Sequence, residues 1–251
     1  MKNLIESKLR SITSEYDIKI LYACESGSRA WGFPSPNSDY DVRFIYVHDL
    51  DWHLSLRDKK DTIDLPINDD LDIGGWEIKK ALGLLWKSNP PLLEWLQSPI
   101  VYQSESKFLN DIQRLCSEYF SPIAVMHHHL SMSKKYLEAC QQTDQVKLKK
   151  YFYALRTAIA GKWIREKESI PPIELPKMFS VVAEEVQARI EKLIIIKSQQ
   201  NEDYLHTREP LIDEFLSETI RQNEAVANDL PSANGDIEEL DKFYRKVAKN
   251  A

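Results

Sequence analysis

Cysteine, long apolar runs and excess positive charge are all scarce in this sequence of 251 residues. Its three cysteines, Cys24, Cys116 and Cys140, are too few and too scattered for a disulfide framework or a zinc site. That count favours a reduced, cytoplasmic setting. No apolar run approaches the roughly 20 residues that are needed to span a bilayer. The N-terminal segment MKNLIESKLRSI predicts an amphipathic helix and lacks the apolar core of a signal peptide.

The sequence also lacks net positive charge and several well-known motifs, and this disfavours several functional classes. The net charge of −6 argues against broad, nonspecific nucleic-acid binding, which depends on neutralising phosphates. The chain has no P-loop and no serine-hydrolase elbow. Gly74-Gly75 does not have the glycine spacing of a dinucleotide-binding fingerprint.

The two parts of the chain show different hydrophobic patterns. The first part mixes short β-forming runs with turn residues, and the second repeats apolar residues at spacings of three and four. We therefore predict an α+β fold with a small mixed sheet flanked by helices over residues 1–103, followed by an all-helical domain over 104–251. The predicted strands are 18–23, 40–47, 62–67, 71–73 and 100–102. The predicted helices of the second part are 105–119, 122–141, 145–167, 175–199, 209–228 and 235–249.

A turn after the first predicted strand has the composition of a phosphate-binding loop. Gly27 allows backbone N–H groups to approach a polyphosphate closely, and the hydroxyl of Ser28 adds a further donor. Arg29 begins the next element, a predicted helical turn whose N-terminus favours anions. We interpret Arg29 as a phosphate ligand, with a structural salt bridge as the alternative.

Two carboxylates follow about a dozen residues later, at Asp39 and Asp41. Alternate residues of a strand point to the same face, so both side chains should project together. Divalent cations relieve the repulsion between such carboxylates, and magnesium prefers oxygen ligands. Asp72, on a neighbouring predicted strand, is the expected third carboxylate that would complete a two-metal site.

Three nearby residues leave alternatives open. Asp64 lies in an alternating run and competes with Asp72 for the third position. Glu77 also competes, although an acid that opens a helix is favourable there anyway. Arg43 shares a face with Asp41, and it is either a phosphate ligand or a cation that neutralises the acidic cluster.

A predicted helix of the second part carries a stripe of cations with one aromatic residue. Lys149, Tyr153 and Arg156 share a face, and Lys150 adjoins them. This stripe is suited to a triphosphate and a base, while a solvated charged face is the alternative.

The consecutive residues His127, His128 and His129 point in different directions on a predicted helix, so we expect one buried and two partly exposed imidazoles rather than a metal site.

Gly-Ser followed by Asp-x-Asp resembles the signature of the DNA polymerase beta superfamily of nucleotidyltransferases. The segments GSRAWGFPSPNSDYDVRFIYV, DIGGWEIKKAL, NPPLLEWLQSPIVY and KLKKYFYALRTAIAGKWI resemble one branch in particular. That branch is the bacterial and phage family of polymerase-beta-like nucleotidyltransferases assigned to an RNA-repair pathway. The similarity spans residues 20–200.

The resemblance implies phosphate binding by Gly27 and Ser28, and metal binding by Asp39, Asp41 and Asp72. It implies transfer of a nucleoside monophosphate from an NTP to an acceptor hydroxyl, with two magnesium ions, or manganese in their place. The family points to an RNA or tRNA end as the acceptor. Nucleotidylylation of a protein or a small molecule, and an inactive nucleotide-binding module, are the alternatives.

Overall fold

A computed structural model describes residues 1–67 and 70–251 of the chain. Two short 3₁₀ segments, Leu175–Val181 and Ala227–Asp229, accompany its regular elements. The strands are β1 (Lys19–Glu25), β2 (Tyr40–Val47), β3 (Thr62–Asp64), β4 (Leu71–Glu77), β5 (Val101–Ser104), β6 (Gln145–Lys147) and β7 (Leu205–Thr207). The α-helices are α1 (Lys2–Tyr16), α2 (Gly27–Trp31), α3 (Leu50–His53), α4 (Ile78–Trp86), α5 (Pro90–Trp95), α6 (Ser106–Glu118), α7 (Pro122–Gln141), α8 (Leu148–Lys167), α9 (Glu184–Ser198), α10 (Pro210–Val226) and α11 (Ile237–Ala248).

The chain forms two compact units that are not simple halves of the sequence. Unit 1 contains Met1–Gly27, Asp39–Tyr119 and Asn234–Ala251. Unit 2 contains Ser28–Ser38 and Phe120–Ala233. This division differs from the predicted boundary at residue 103, because α6 and α11 pack with the sheet unit and residues 28–38 pack with the helices. Within the described residues, no helix is long and apolar enough to cross a membrane.

Unit 1 is built on a five-stranded mixed sheet in the order β3-β4-β2-β1-β5. Strands β2 and β4 run parallel, and the other neighbours run antiparallel. Helix α1 covers one face with Ile5, Leu9 and Ile12, whose spacing places them on one side of the helix. The sheet residues packed in this core are Ile20, Ala23, Val42, Phe44, Tyr46, Ile63 and Ile73.

Aromatic side chains pack on the opposite face of the sheet. Trp76 of β4 stacks on Trp95 of α5, with ring centroids 3.7 Å apart. The hydroxyl of Tyr22 donates to the carbonyl of Trp95 at 2.7 Å, which ties β1 to the end of the same helix. Asn89 caps α5 by accepting from the N–H of Leu92. Pro90 and Pro91 form the first turn of this helix, where proline is tolerated. These contacts fix the centre of the sheet.

Unit 2 is held together by close packing of long helices. Helix α8 is buried along much of its length, and Gly161 lets Asn223 of α10 approach it. The Asn223 side-chain amide donates to the carbonyl of Ala158 at 2.9 Å. This hydrogen bond satisfies the amide nitrogen of Asn223, whereas its buried Oδ1 has no hydrogen-bond partner among the described residues. Strand β6, which directly precedes α8, pairs antiparallel with β7.

The α+β class predicted from the sequence is confirmed, and the strand predicted over 40–47 has those bounds. Other elements differ. Residues 145–147, predicted as helical, form β6 because they pair with β7 from a distant part of the chain. The predicted helix over 175–199 is a 3₁₀ segment and α9, separated near Val182, whose backbone is extended. The strand predicted over 62–67 ends at Asp64, shortly before Pro66, which cannot donate to a ladder.

Two glycines provide a test of the packing in unit 1. A Cβ at Gly75 would overlap the ring of Phe44, whereas a Cβ at Gly83 of α4 would meet no atom within 4 Å. We expect Gly75→Ala to lower the free energy of unfolding by roughly 1–3 kcal/mol through overpacking. Gly83→Ala should raise it by about 0.5–1 kcal/mol, because alanine favours a helix. Urea unfolding measures both, and equal effects of the two substitutions would contradict the packing described for β4.

Candidate active site

The centre of the candidate site is the contact between Gly27 and Asp41 in unit 1. Gly27 follows β1 with a φ of 61°, a conformation that glycine adopts without strain. Any side chain at this position would clash with the carboxylate of Asp41. The backbone N–H of Ser26 donates to the carbonyl of Asp41 at 2.8 Å. The glycine turn and the first residues of β2 are therefore held against each other.

A buried carboxylate supports this contact from the end of β1. Glu25 is fully buried, and its Oε1 accepts from the backbone N–H of Asp41 at 2.9 Å. Its Oε2 accepts from the hydroxyl of Tyr102 at 2.5 Å. The hydroxyl of Ser98 donates to the Glu25 carbonyl at 2.6 Å. Because its carboxylate oxygens have donors, Glu25 acts as a support for Asp41, a role that no sequence motif signals.

Asp41 and Asp72 are neighbours on adjacent strands, joined by Arg43. The two residues are directly paired in the parallel register of β2 and β4. Arg43 Nη2 lies 2.6 Å from Asp72 Oδ2 and 3.5 Å from Asp41 Oδ1. Both carboxyl side chains are 31% exposed, so solvent and ligands can reach them. Asp41 and Asp72 therefore lie close together, as predicted, and Arg43 offsets the repulsion between their carboxylates.

The other carboxylates considered for the site have different surroundings. Asp39 is exposed and lies one residue before β2. Asp64 is exposed on the edge strand β3, where its carboxylate accepts from Thr62 at 3.0 Å and faces Lys60 at 3.4 Å. Glu77 is fully buried and caps α4 by accepting from the N–H of Lys79 at 2.6 Å. Of the three competitors for the third acidic position, Asp72 alone has a described contact with Arg43.

In unit 2, residues 28–38 place the predicted phosphate-binding serine in a hydroxyl network. Ser28 is buried and donates to the hydroxyl of Ser38 at 3.1 Å. The Ser38 hydroxyl also accepts from the N–H of Ser35 at 2.9 Å and lies 2.8 Å from Glu202 Oε1. Arg29 Nη2 donates to the carbonyl of Ser38 at 2.6 Å. Ser38 was not predicted as a site residue, although it directly precedes Asp39.

The predicted stripe on α8 converges on an aromatic side chain. Tyr153 packs edge-on against Trp31 at 5.3 Å, and the Arg156 guanidinium lies 4.6 Å from the centroid of the Trp31 ring. Lys149 Nζ is 6.0 Å from the Tyr153 ring. Arg156 is only 4% exposed, so a solvated charged face is wrong for this residue. Lys150, which adjoins the stripe, is exposed, and its role in nucleotide binding stays a prediction.

The histidine triplet has the distribution expected for a helix. His127 is exposed, His128 is partly buried and His129 is buried. Burial, and then the neighbouring Arg156, hold the pKa of His129 well below its usual value. His129 is therefore a neutral imidazole in the core of unit 2.

The donor chemistry of the acidic cluster suits a hard divalent cation. Asp39, Asp41 and Asp72 supply only carboxylate oxygens, which magnesium and manganese prefer over nitrogen or sulfur donors. Over residues 1–67 and 70–251, no group of three or more His, Cys, Asp or Glu side chains is close enough to hold a metal ion. Asp41 and Asp72 both contact the guanidinium of Arg43, whereas Asp39 is exposed and precedes β2.

The contact of Asp41 with the glycine turn, and Asp72 on the parallel neighbouring strand, agree with the resemblance to polymerase-beta-like nucleotidyltransferases. A model of the RNA repair pathway DNA polymerase beta family matches residues 1–246, so the chain belongs to that family. The Bacillus subtilis (strain 168) protein named "Uncharacterized protein YcgL" is 42% identical over 239 residues, covering 94% of this chain and 92% of that protein. The resemblance inferred from the motifs is confirmed.

A solved structure is also similar to the chain. It is the crystal structure of a nucleotidyltransferase-like protein from Exiguobacterium sibiricum 255-15, with 14% sequence identity and a TM-score of 0.31. The match covers 90% of this chain and 75% of that chain. A TM-score this low gives the structural likeness no weight beside the family match.

Glu77, the buried acid that caps α4, provides a test that depends on pH. Burial raises the pKa of Glu77 from 4.5 to about 7, against the lowering effect of the Lys79 N–H. Because the folded-state pKa exceeds the unfolded one, protonation stabilises the fold below pH 4.5, and this contribution is lost as the pH rises to about 7. Between about pH 5 and pH 8 the free energy of unfolding of the unmodified protein should fall by on the order of 1–3 kcal/mol because Glu77 ionises. We expect Glu77→Gln to abolish this fall.

The measurement is the free energy of urea unfolding of both proteins across this pH range. The variant keeps an oxygen that can accept from Lys79, so the helix cap is preserved. Parallel pH profiles for the two proteins would show that Glu77 does not titrate in this window.

Proposed function

We propose that the chain transfers a nucleoside monophosphate from an NTP to an acceptor hydroxyl and releases pyrophosphate. The observation that supports this most directly is the Asp41 carboxylate packed on Gly27 and sharing Arg43 with Asp72. A turn without a side chain lets a phosphate approach the backbone beside a carboxylate pair that suits divalent cations. Neither feature alone would specify phosphoryl chemistry.

In this proposal Asp39, Asp41 and Asp72 would hold two magnesium ions, with manganese as the alternative. The ions, when bound, supply Lewis-acid stabilisation of charge on the phosphoryl oxygens. The acceptor oxygen forms a bond to the α-phosphorus, and the bond from that phosphorus to the oxygen bridging to the β-phosphorus breaks. Asp72 takes the acceptor's proton, and pyrophosphate leaves with the bonding electron pair. Arg43 offsets the repulsion of the acids in the absence of the ions.

Nucleotide binding is assigned to the turn and to the stripe of unit 2. Gly27 and Ser28 are consecutive, so a phosphate bound at this turn meets a backbone N–H and a hydroxyl together. Arg29, whose Nη2 donates to the carbonyl of Ser38, is proposed as a further phosphate ligand, and Lys150 as a further cation. Lys149 supplies a cation, and the aromatic contacts of Trp31 with Tyr153 and Arg156 suit a base.

The acceptor is proposed from the family description, which names RNA repair. We favour an RNA or tRNA end. The net charge of −6 disfavours a long nonspecific RNA contact and keeps protein or small-molecule nucleotidylylation as the second candidate. A module that binds nucleotide without transfer is the alternative from another class.

Asp41→Asn tests the enzymatic proposal. It removes a metal ligand with almost no change of volume, so we expect transfer to fall by on the order of 100-fold or more while the protein stays folded. The measurement uses each of the four α-labelled NTPs with magnesium, with and without total RNA. Both labelled product and released pyrophosphate are counted, and circular dichroism checks the fold.

Asp61→Asn is the matched control, because Asp61 is half-exposed and pairs with Lys80 at 3.0 Å at the surface. Its transfer rate should equal that of the unmodified protein. Asp72→Asn and Asp64→Asn identify the third carboxylate, and we expect a severe loss in the first only. Full activity of Asp41→Asn would refute the proposed role, and tight NTP binding without turnover in the unmodified protein would favour the binding module.

A further inference from the structure

A carboxylate from a distant loop lies among the polar groups of unit 2 that suit a phosphate. Glu202 Oε1 accepts from the hydroxyl of Ser38 at 2.8 Å, and its Oε2 accepts from Lys149 Nζ at 2.5 Å. The Ser38 hydroxyl in turn meets the hydroxyl of Ser28 at 3.1 Å. Two of these groups, Ser28 and Lys149, are those that the proposed function assigns to phosphate. A carboxylate therefore occupies an anion position among hydroxyl and ammonium donors.

A second ammonium borders the same position. Lys197 is only 2% exposed, and its Nζ donates to the hydroxyl of Ser35 at 2.8 Å. Burial lowers the pKa of Lys197 to about 8, and the charge of Glu202 opposes this effect. A buried cation requires a nearby anion or groups that accept its hydrogen bonds. The neighbourhood of Ser35 and Ser38 is thus built to receive negative charge.

Glu202 lies in a turn rather than in a helix or a strand. The turn is closed by the N–H of Tyr204 donating to the carbonyl of Asn201 at 3.0 Å, between α9 and β7. The N–H of Glu202 donates to the Asn37 side chain at 3.0 Å, which aims the turn at residues 28–38. The Glu202 side chain retains 19% exposure. Its carboxylate can withdraw by side-chain rotation, without the loss of any ladder or helix hydrogen bond.

We infer that the Glu202 carboxylate stands in for a substrate phosphate, and that Ser38, Lys149 and Lys197 form a polyphosphate subsite which Glu202 keeps closed until a nucleotide displaces it. The inference rests on the proposed function for the class of ligand. Phosphate oxygens and a carboxylate accept from the same hydroxyl and ammonium donors. The two anions repel each other, so occupation by one excludes the other.

The test is the affinity for inorganic tripolyphosphate, measured by isothermal titration calorimetry at low ionic strength. Glu202→Gln keeps the length of the side chain and an oxygen that can accept from Ser38, but it removes the negative charge. We expect this variant to bind tripolyphosphate about tenfold more tightly than the unmodified protein. Adding Lys149→Gln to the Glu202→Gln protein should reverse the gain, because the phosphate then loses its ammonium partner.

Asp203→Asn is the matched control. Asp203 is the next residue of the same turn, is exposed and pairs with Lys147 at 2.5 Å. Its substitution should leave the affinity for tripolyphosphate unchanged. If Glu202 only braces the turn, Glu202→Gln binds tripolyphosphate no more tightly than the unmodified protein, and this result overturns the inference.

The readout separates this inference from the proposed function. Tripolyphosphate binding does not require transfer, so tighter binding by Glu202→Gln supports the subsite whether or not labelled product forms. Equal or weaker binding by Glu202→Gln overturns the inference even when the unmodified protein transfers nucleotides. Pyrophosphate release in the labelled-NTP assay decides the proposed function on its own.

Discussion

The contact of the Asp41 carboxylate with Gly27 is the constraint on which the rest of unit 1 depends. It requires a residue without a side chain at the end of β1, a positive φ there, and a β2 strand that begins in one register only. Glu25 fixes that register by accepting from the Asp41 N–H while its other oxygen is held by Tyr102. The parallel pairing with β4 then brings Asp72 beside Asp41. The acidic site is a consequence of backbone geometry.

Much of this arrangement can be predicted from local sequence. The alternation over 40–47 specifies β2, and a glycine followed by serine after a buried strand specifies the turn. The pairing of Asp41 with Asp72 also requires one particular register of β2 against β4, which strand order alone does not determine. Apolar spacing and proline positions also predict most helices of the second part, although residues 145–147 form a strand and residues 175–181 form a 3₁₀ segment. Charge and periodicity were sufficient for the strand, the turn and most of these helices.

The remaining features depend on contacts between distant residues. Residues 28–38 pack with the helices because Phe33 stacks on Phe152 at 4.8 Å, which no local pattern indicates. Lys197 follows the apolar run of α9 and reads as the end of an amphipathic helix, yet it is buried on Ser35. Glu202 meets Ser38 across 164 positions of sequence. Such partners are set by the final packing, so composition and spacing cannot name them.

Arg43 and Glu202 have the same physical role with opposite charges. Clusters of like-charged side chains would be costly without counter-charges, because like charges repel and buried charges lose solvent. Arg43 offsets the acids of unit 1, and Glu202 offsets the lysines of unit 2. A ligand that displaces one partner of an internal ion pair forms one ionic contact while another is broken. Its binding free energy is then only the difference between these two contacts. Each counter-charge therefore neutralises the like charges of its own unit and reduces the free energy that a competing ligand gains on binding there.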